Sequence, residues 1–183
     1  MPSHHIMLIR HAEKAKAPNE QAVDGLGRAD PRALSVRGWQ RAGALVRLFD
    51  PLDGHFRDVR LAKPTAIFAA GPRPNKDSTR PFDTVAPLAR ALSLRINDPC
   101  AADDDVGALA AAIEQVHGPV LVCWRHETLP TLARHWAAPR IVPEQWPPQR
   151  HDLVWVIDRV QQGWRFAQVA QLVLDADEAL PPA

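Results

Sequence analysis

Short apolar runs that alternate with amphipathic segments are the strongest constraint on the fold of this chain. The runs occupy residues 5–9, 65–69 and 119–124, a length typical of buried strands and too short for core helices. After each run, apolar residues recur at three- to four-residue spacing, which is typical of a helix with one buried face. This alternation predicts a mostly parallel sheet covered by helices.

The pattern changes near the C-terminal end of the chain. Two apolar runs at 153–157 and 164–169 flank the turn-forming segment 159–163, which predicts a β-hairpin. A chain of 183 residues can bury a sizeable core in one domain. We therefore predict a single three-layer α/β domain over residues 1–174, with a mostly parallel central sheet and an antiparallel edge hairpin. Residues 175–183 are predicted to be a C-terminal tail.

Composition excludes several functional classes. The net charge of +1 gives no general attraction to nucleic acid or to a membrane surface. Two cysteines, Cys100 and Cys123, are too few for a disulfide framework. No apolar run approaches the length of a membrane span, and residues 1–6 lack the features of a signal peptide. We therefore expect a cytoplasmic protein, and the sequence leaves its oligomeric state open.

Charged side chains follow all three predicted parallel strands. In chain order they are Arg10 and His11, then Arg80, then Arg125, His126 and Glu127. The carboxyl ends of parallel strands meet at one edge of a sheet, so we expect these groups to converge. Several arginines would repel a metal ion but suit the oxygens of a phosphate. The set predicts a phosphate site with no metal and no cofactor, although an isolated Arg-His pair can equally be a backbone cap.

These residues make the chain resemble the histidine phosphatase family, also called the phosphoglycerate mutase-like family. The family motifs match Arg10-His11-Ala12-Glu13, the segment 34–41, an arginine and threonine four residues apart (Arg80 and Thr84), and His126. The resemblance extends over about residues 6–157 and implies the fold of the family. The short segment between Arg80 and His126 implies a small member without a large cap domain.

The resemblance also implies a role for each matching residue. His11 would attack phosphorus and form a phosphohistidine, with a backbone carbonyl holding the ring in the required tautomer. Arg10, Arg80 and His126 would bind the phosphoryl oxygens, where charge develops in the transition state. Arg125 is either a further phosphate ligand or points outward.

The proton donor has two candidates. Glu127 stands where the acid-phosphatase branch of the family has an aspartate, which makes it the favoured general acid. Glu13 is the competitor, although a salt bridge to Lys14 or Arg37 is the preferred interpretation of its carboxylate. Lys14, as well as Arg73 and Lys76 in the basic loop 71–79, would either meet an acidic substrate or remain solvated surface cations.

Three functions are compatible with these residues. The favoured one is a phosphatase acting on a phosphomonoester or a protein phosphohistidine, with a phosphorylated small molecule or phosphoprotein as its partner. The first alternative is phosphoryl transfer of the phosphoglycerate mutase type, which requires a phosphoenzyme protected from water. The second is a phosphate-binding module without turnover.

Overall fold

The computed structural model describes residues 4–71, 78–99 and 106–179. Arg73, Lys76 and Cys100 lie outside the described residues. Six strands form the main sheet: β1 (His4–Arg10), β4 (Ala66–Ala69), β5 (Ile96–Asn97), β6 (Gly118–Trp124), β7 (Leu153–Val160) and β8 (Gly163–Ala170). A two-stranded sheet consists of β2 (Ala22–Val23) and β3 (Leu34–Ser35). The helices are α1 (Val36–Phe49), α2 (Arg80–Ala91), α3 (Val106–Glu114) and α4 (Leu129–Ala133), with a 3₁₀ turn at Pro139–Ile141.

The sheet has the order β5-β4-β6-β1-β7-β8. Strands β5, β4, β6 and β1 are parallel, and β7 and β8 complete the sheet as an antiparallel hairpin. The predicted fold class is therefore confirmed. The hairpin turn is tighter than predicted, because the strands extend to Val160 and Gly163, and Gly163 adopts a φ of 117° that favours glycine.

The central strand β1 has a buried side chain on both faces, which explains its uninterrupted apolar sequence. Ile6 and Leu8 pack into the core that α3 and α4 cover, whereas Met7 and Ile9 pack into the core beneath α1 and α2. All four side chains are fully buried. Burial of each stabilises the fold by about 1.5–3 kcal/mol relative to exposure. These two cores produce the three-layer architecture.

The start of α1 is tied to the loop that follows β1. Ser35 is the N-cap predicted from the sequence, and its Oγ accepts a hydrogen bond of 3.1 Å from the Gly38 amide. The amide of Ser35 in turn donates to the Glu13 carbonyl over 2.9 Å. Helix α1 thereby supports the loop at the end of β1.

The antiparallel direction of β7 brings another segment to the same sheet edge. Strand β7 pairs with β1 in a register that sets Leu8 opposite Trp155, so β7 begins where β1 ends. The carboxyl ends of β1 and β6 and the start of β7 therefore share one edge. In the part of the chain that the structure describes, no helix is long and apolar enough to cross a membrane.

Candidate active site

His11 lies at the shared edge with its ring held in a single tautomer. Its amide donates to the Trp124 carbonyl over 3.1 Å, and its Nδ1 lies 2.7 Å from the Ala12 carbonyl oxygen. A carbonyl oxygen only accepts hydrogen bonds, so Nδ1 carries the proton and Nε2 keeps its lone pair. Burial, assisted by the charges of Arg10 and Arg80, lowers the pKa of His11 to about 3. The imidazole is therefore neutral and has the electronic state of a nucleophile.

Arg10 is buried beside His11, with a side chain only partly engaged by hydrogen bonds. Its Nη1 donates to the Pro148 carbonyl, and its Nε is buried with no hydrogen-bond partner. Burial lowers the pKa of Arg10, while Glu127 and Glu13 raise it. An arginine keeps its charge in proteins, so Arg10 supplies a fixed positive charge to this edge.

Arg80 begins α2 close enough for its charge to lower the pKa of His11. Two nitrogens of its guanidinium group already donate hydrogen bonds to the main chain. Nε donates to the Ala33 carbonyl over 3.0 Å, and Nη2 donates to the Pro31 carbonyl over 2.7 Å. The structure thus brings Arg80 near the nucleophile with a guanidinium that also anchors residues 31–33.

Thr84 gives a physical reason for the four-residue spacing of the Arg80 motif. One helical turn places Thr84 directly after Arg80 on the same face of α2. Its Oγ1 accepts from the Ala12 amide over 2.8 Å and donates to the Arg80 carbonyl over 2.7 Å. Thr84 is fully buried, so this hydroxyl docks the first turn of α2 onto the loop beside His11.

His126 and Glu127 follow β6 at the same edge. The His126 Nδ1 lies 3.1 Å from the Glu127 Oε2, and the Glu127 side chain is 63% exposed. Burial lowers the pKa of His126, and the nearby charges of Arg10, Lys14 and Arg125 act in the same direction, opposed by Glu127. Arg10, Lys14, Arg125 and Glu127 therefore all act electrostatically on His126.

Glu13 is engaged in a buried ion network. Its carboxylate lies 2.8 Å from the guanidinium of Arg41 and 3.6 Å from that of Arg37. Arg41 is 2% exposed and also binds Asp177 over 2.7 Å. The sequence analysis anticipated an ion pair for Glu13 with Arg37 or Lys14 and missed Arg41, whose charge is buried on α1. These contacts argue against Glu13 as the proton donor.

His151 is a site residue that the sequence analysis missed. It lies two residues before the start of β7, is 4% exposed, and its Nδ1 lies 2.8 Å from the His11 carbonyl oxygen. The two imidazole centroids are 5.8 Å apart. Burial and the charge of Arg10 lower the pKa of His151 to about 3. The sequence could have revealed His151, because it precedes the first strand of the predicted hairpin. The start of a strand antiparallel to β1 lies at the edge of the sheet where β1 ends.

Two buried nitrogen atoms near His11 have no hydrogen-bond partner among the described residues. They are Arg10 Nε and His151 Nε2. Leaving a buried polar atom unpaired costs about 1–3 kcal/mol, so such atoms mark places where a ligand can supply the missing hydrogen bonds. Their arrangement around a neutral histidine and a fixed arginine charge suits an oxyanion.

A cavity of about 320 Å³ opens beside His151. It lies between the loop after β1, represented by Lys14 and Lys16, and the segment before β7, represented by Gln149 and His151. His151 thus borders both the cavity and His11.

The fold has clear counterparts among solved structures. The protein histidine phosphatase SixA complexed with tungstate has a TM-score of 0.55 and 14% identity over 91% of this chain and 97% of its own. A candidate phosphohistidine phosphatase SixA from Agrobacterium tumefaciens has a TM-score of 0.51 and 17% identity, with 91% of this chain and 96% of its own chain covered. The product of the open reading frame Rv3214 from Mycobacterium tuberculosis has a TM-score of 0.53 and 16% identity, with 93% of this chain and 98% of its own chain covered.

These similarities establish the fold. The chain has the phosphoglycerate mutase-like fold that its motifs implied, and its nearly complete mutual overlap with the SixA structures matches the expected small size. No protein-family model and no curated protein matches the sequence.

Proposed function

We propose that this chain is a phosphatase that hydrolyses a phosphomonoester or a protein phosphohistidine through a phosphohistidine intermediate on His11. The observation that carries the proposal is the hydrogen bond from His11 Nδ1 to the Ala12 carbonyl, which leaves Nε2 with a free lone pair. A neutral nucleophile beside the fixed charge of Arg10 is what attack on a phosphate requires. The SixA structures, described as histidine phosphatases, support the same reaction class.

The first step transfers the phosphoryl group to the protein. His11 Nε2 forms the bond to phosphorus while the bond from phosphorus to the leaving atom breaks. That atom, an ester oxygen or the ring nitrogen of a phosphohistidine, takes a proton from the Glu127 carboxyl. Arg10 and His126 bind the phosphoryl oxygens, and Arg80 adds positive charge nearby. Arg125 adds charge beside His126 and serves as a further candidate ligand.

The second step returns the enzyme to its starting state. Water forms a bond to phosphorus, the bond from phosphorus to Nε2 breaks, and Glu127 takes the proton that the water loses. His11 is again neutral and Glu127 again protonated, so all atoms and charges balance. The arginines supply the positive charge that a metal ion supplies in other phosphatases, so we propose that the reaction needs none.

We infer the class of substrate from the solvent exposure and the charge of the site at this edge of the sheet. Glu127 is largely exposed, and the adjoining cavity is lined by both cationic and acidic side chains, including Lys14, Lys16 and Glu20. An accessible site with a mixed-charge border suits a small phosphate ester or a phosphate carried on a protein surface. A mutase would have to shield its phosphoenzyme from water.

Hydrolysis of a chromogenic phosphate ester by wild type and by His11→Ala tests the proposal. We expect the substitution to reduce kcat by at least about 1,000-fold, because the bond to phosphorus can no longer form. Equal rates for the two proteins would contradict the role of His11. Binding of inorganic phosphate without turnover by wild type would instead identify a binding module.

Trapping the intermediate tests the chemistry independently. Denaturation of the enzyme during turnover of a ³²P-labelled ester should leave label on the wild-type chain and none on His11→Ala. A phosphohistidine survives base and is lost in acid. An adduct that is stable in acid and lost in base would identify a different nucleophile.

A further inference from the structure

One of the buried groups around His11 differs chemically from the others. Arg10 Nε carries a hydrogen and can only donate a hydrogen bond. His151 Nε2 is the opposite case, because Nδ1 of the same ring lies 2.8 Å from the His11 carbonyl and must carry the proton. The site therefore contains a buried acceptor as well as donors. A fully deprotonated phosphate offers only acceptors and cannot satisfy it.

We propose that His151 Nε2 contacts an oxygen of the bound phosphoryl group through a shared proton, so that the site takes up phosphate together with one proton. This inference rests on the proposed function and adds His151 to the residues that touch the substrate. The proton can reside on the phosphoryl oxygen or on Nε2, and both arrangements contain the same number of protons. The binding reaction is then linked to pH in a way that a site made only of donors is not.

Three observations support contact between His151 and a phosphoryl group bound at His11. Its ring lies 5.8 Å from the His11 ring and also lines the adjoining cavity. Its Nδ1 hydrogen bond is made to the nucleophile's own main chain. Its Nε2 is fully buried without a partner, which is a costly arrangement unless a ligand completes it.

The charges around His151 oppose a proton on its Nε2 in the free protein, and they allow one there when an anion is bound. Several charged and titratable groups lie around it. They are Arg10 at the end of β1, His11 and Lys16 from the following loop, Arg41 from α1, and the adjacent Arg150 and Asp152. Arg41 is neutralised by Glu13 and Asp177, and Arg150 by Asp152. Arg10 and Lys16 remain as cations that oppose protonation, and an incoming phosphate removes this opposition.

Calorimetric titration of wild type with phenylphosphonate tests the proposal without any substitution, because the phosphonate dianion has no hydrogen on its oxygens and is not hydrolysed. In buffers of different ionisation enthalpy at about pH 8.5, where the free phosphonate is the dianion, we expect uptake of about one proton per phosphonate bound. The dissociation constant should rise about tenfold per pH unit above the second pKa of the phosphonate. Phosphonate binding without proton uptake would overturn the proposal and leave the phosphatase assignment intact.

His151→Asn separates contact with the substrate from a structural role. The asparagine amide can still donate to the His11 carbonyl, but it has no group at the position of Nε2. We expect the variant to lose proton uptake, and the ratio of its dissociation constants at about pH 8.5 and pH 6.5 to fall from the roughly 20-fold of wild type toward unity. A variant that keeps the wild-type uptake and pH dependence would show that His151 only supports His11.

The control is His55→Asn, which removes an 86% exposed imidazole in the loop after α1 and should leave proton uptake unchanged. The two levels of inference fail differently. If wild type neither binds phenylphosphonate at any pH nor hydrolyses esters, both the proposed function and the role of His151 are wrong. If wild type hydrolyses esters but binds the phosphonate dianion without a proton, only the role of His151 is wrong.

Discussion

Gly38 packs so closely against Glu13 that a Cβ atom at position 38 would lie 2.4 Å from the Glu13 carbonyl oxygen. Gly38 lies in the first turn of α1, against the loop that follows β1, although it is far from that loop in sequence. The glycine therefore allows the helix to support the main chain that follows His11. This contact gives the segment 34–41 a role beside His11 that depends on the absence of a side chain.

We expect Gly38→Ala to destabilise the protein by about 1–3 kcal/mol and to lower kcat, because helix α1 or the loop must move. Urea denaturation and ester hydrolysis measure the two effects. Gly43→Ala is the matched control, since position 43 is also in α1 and has no atom within 4 Å of an added Cβ. That variant should gain about 0.5–1 kcal/mol through helix propensity. Equal effects of the two substitutions would contradict the close-packing explanation.

Asp177 should be required for full stability although it lies in the predicted C-terminal tail. Its carboxylate is 3% exposed and binds Arg41, which also binds Glu13. Asp177→Ala leaves a buried guanidinium with one partner fewer, so we expect a loss of about 3–5 kcal/mol. Asp175→Ala, at an exposed neighbouring position, should change the free energy of unfolding by less than about 0.5 kcal/mol. Chemical denaturation that finds both variants equally stable would show that the ion pair between Asp177 and Arg41 contributes nothing measurable to stability.

Glu127→Gln should affect substrates according to their leaving groups. A phenolate with a low pKa departs without a proton, whereas an alkoxide needs one, so the loss of kcat should be much larger for alkyl than for nitrophenyl phosphates. Glu13→Gln should show no such dependence, because the Glu13 carboxylate is bound to Arg41. Measuring both variants on both substrates decides between the two carboxylates. An equal loss on both substrates for Glu127→Gln would remove it from the proton-transfer role.

The two buried histidines make stability depend on pH. Burial lowers the pKa of His11 and of His151 to about 3 in the folded protein, below the ordinary value of 6.5 that each regains on unfolding. Between these values the unfolded chain binds more protons, so acid favours unfolding. We expect full stability above about pH 6.5 and a progressive loss as pH falls toward 3, by up to about 1.4 kcal/mol per pH unit for each histidine.

Denaturation curves between about pH 7 and pH 4 measure this dependence, and His151→Asn should reduce its slope by up to about 1.4 kcal/mol per pH unit. A slope that is the same in the variant would show that His151 is not held neutral by the fold. Loss of stability with rising pH in the same range would contradict the assignment for both histidines.

Local patterns in the sequence were sufficient for the fold class and for part of the site. The apolar run before Arg10 identified β1, and the serine at position 35 identified the start of α1, because strand and helix periodicities are short-range properties. The rule that parallel strands end at one edge grouped Arg10, His11 and His126, and the structure sets the ends of β1 and β6 side by side. The roles of these residues stay predictions. The two-residue strands β2, β3 and β5 were not predicted, since segments that short carry no periodicity.

The sequence by itself determined the order of strands and helices, the residues at the strand ends and the chemistry that a histidine beside arginines can perform. Only the tertiary structure decided that His151 joins the site, that Glu13 pairs with Arg41 and Asp177, and that Arg80 donates to residues 31 and 33. These contacts join residues distant in sequence. They depend on the antiparallel direction of β7 and on how closely α1 and α2 dock against the end of β1, which no local pattern specifies.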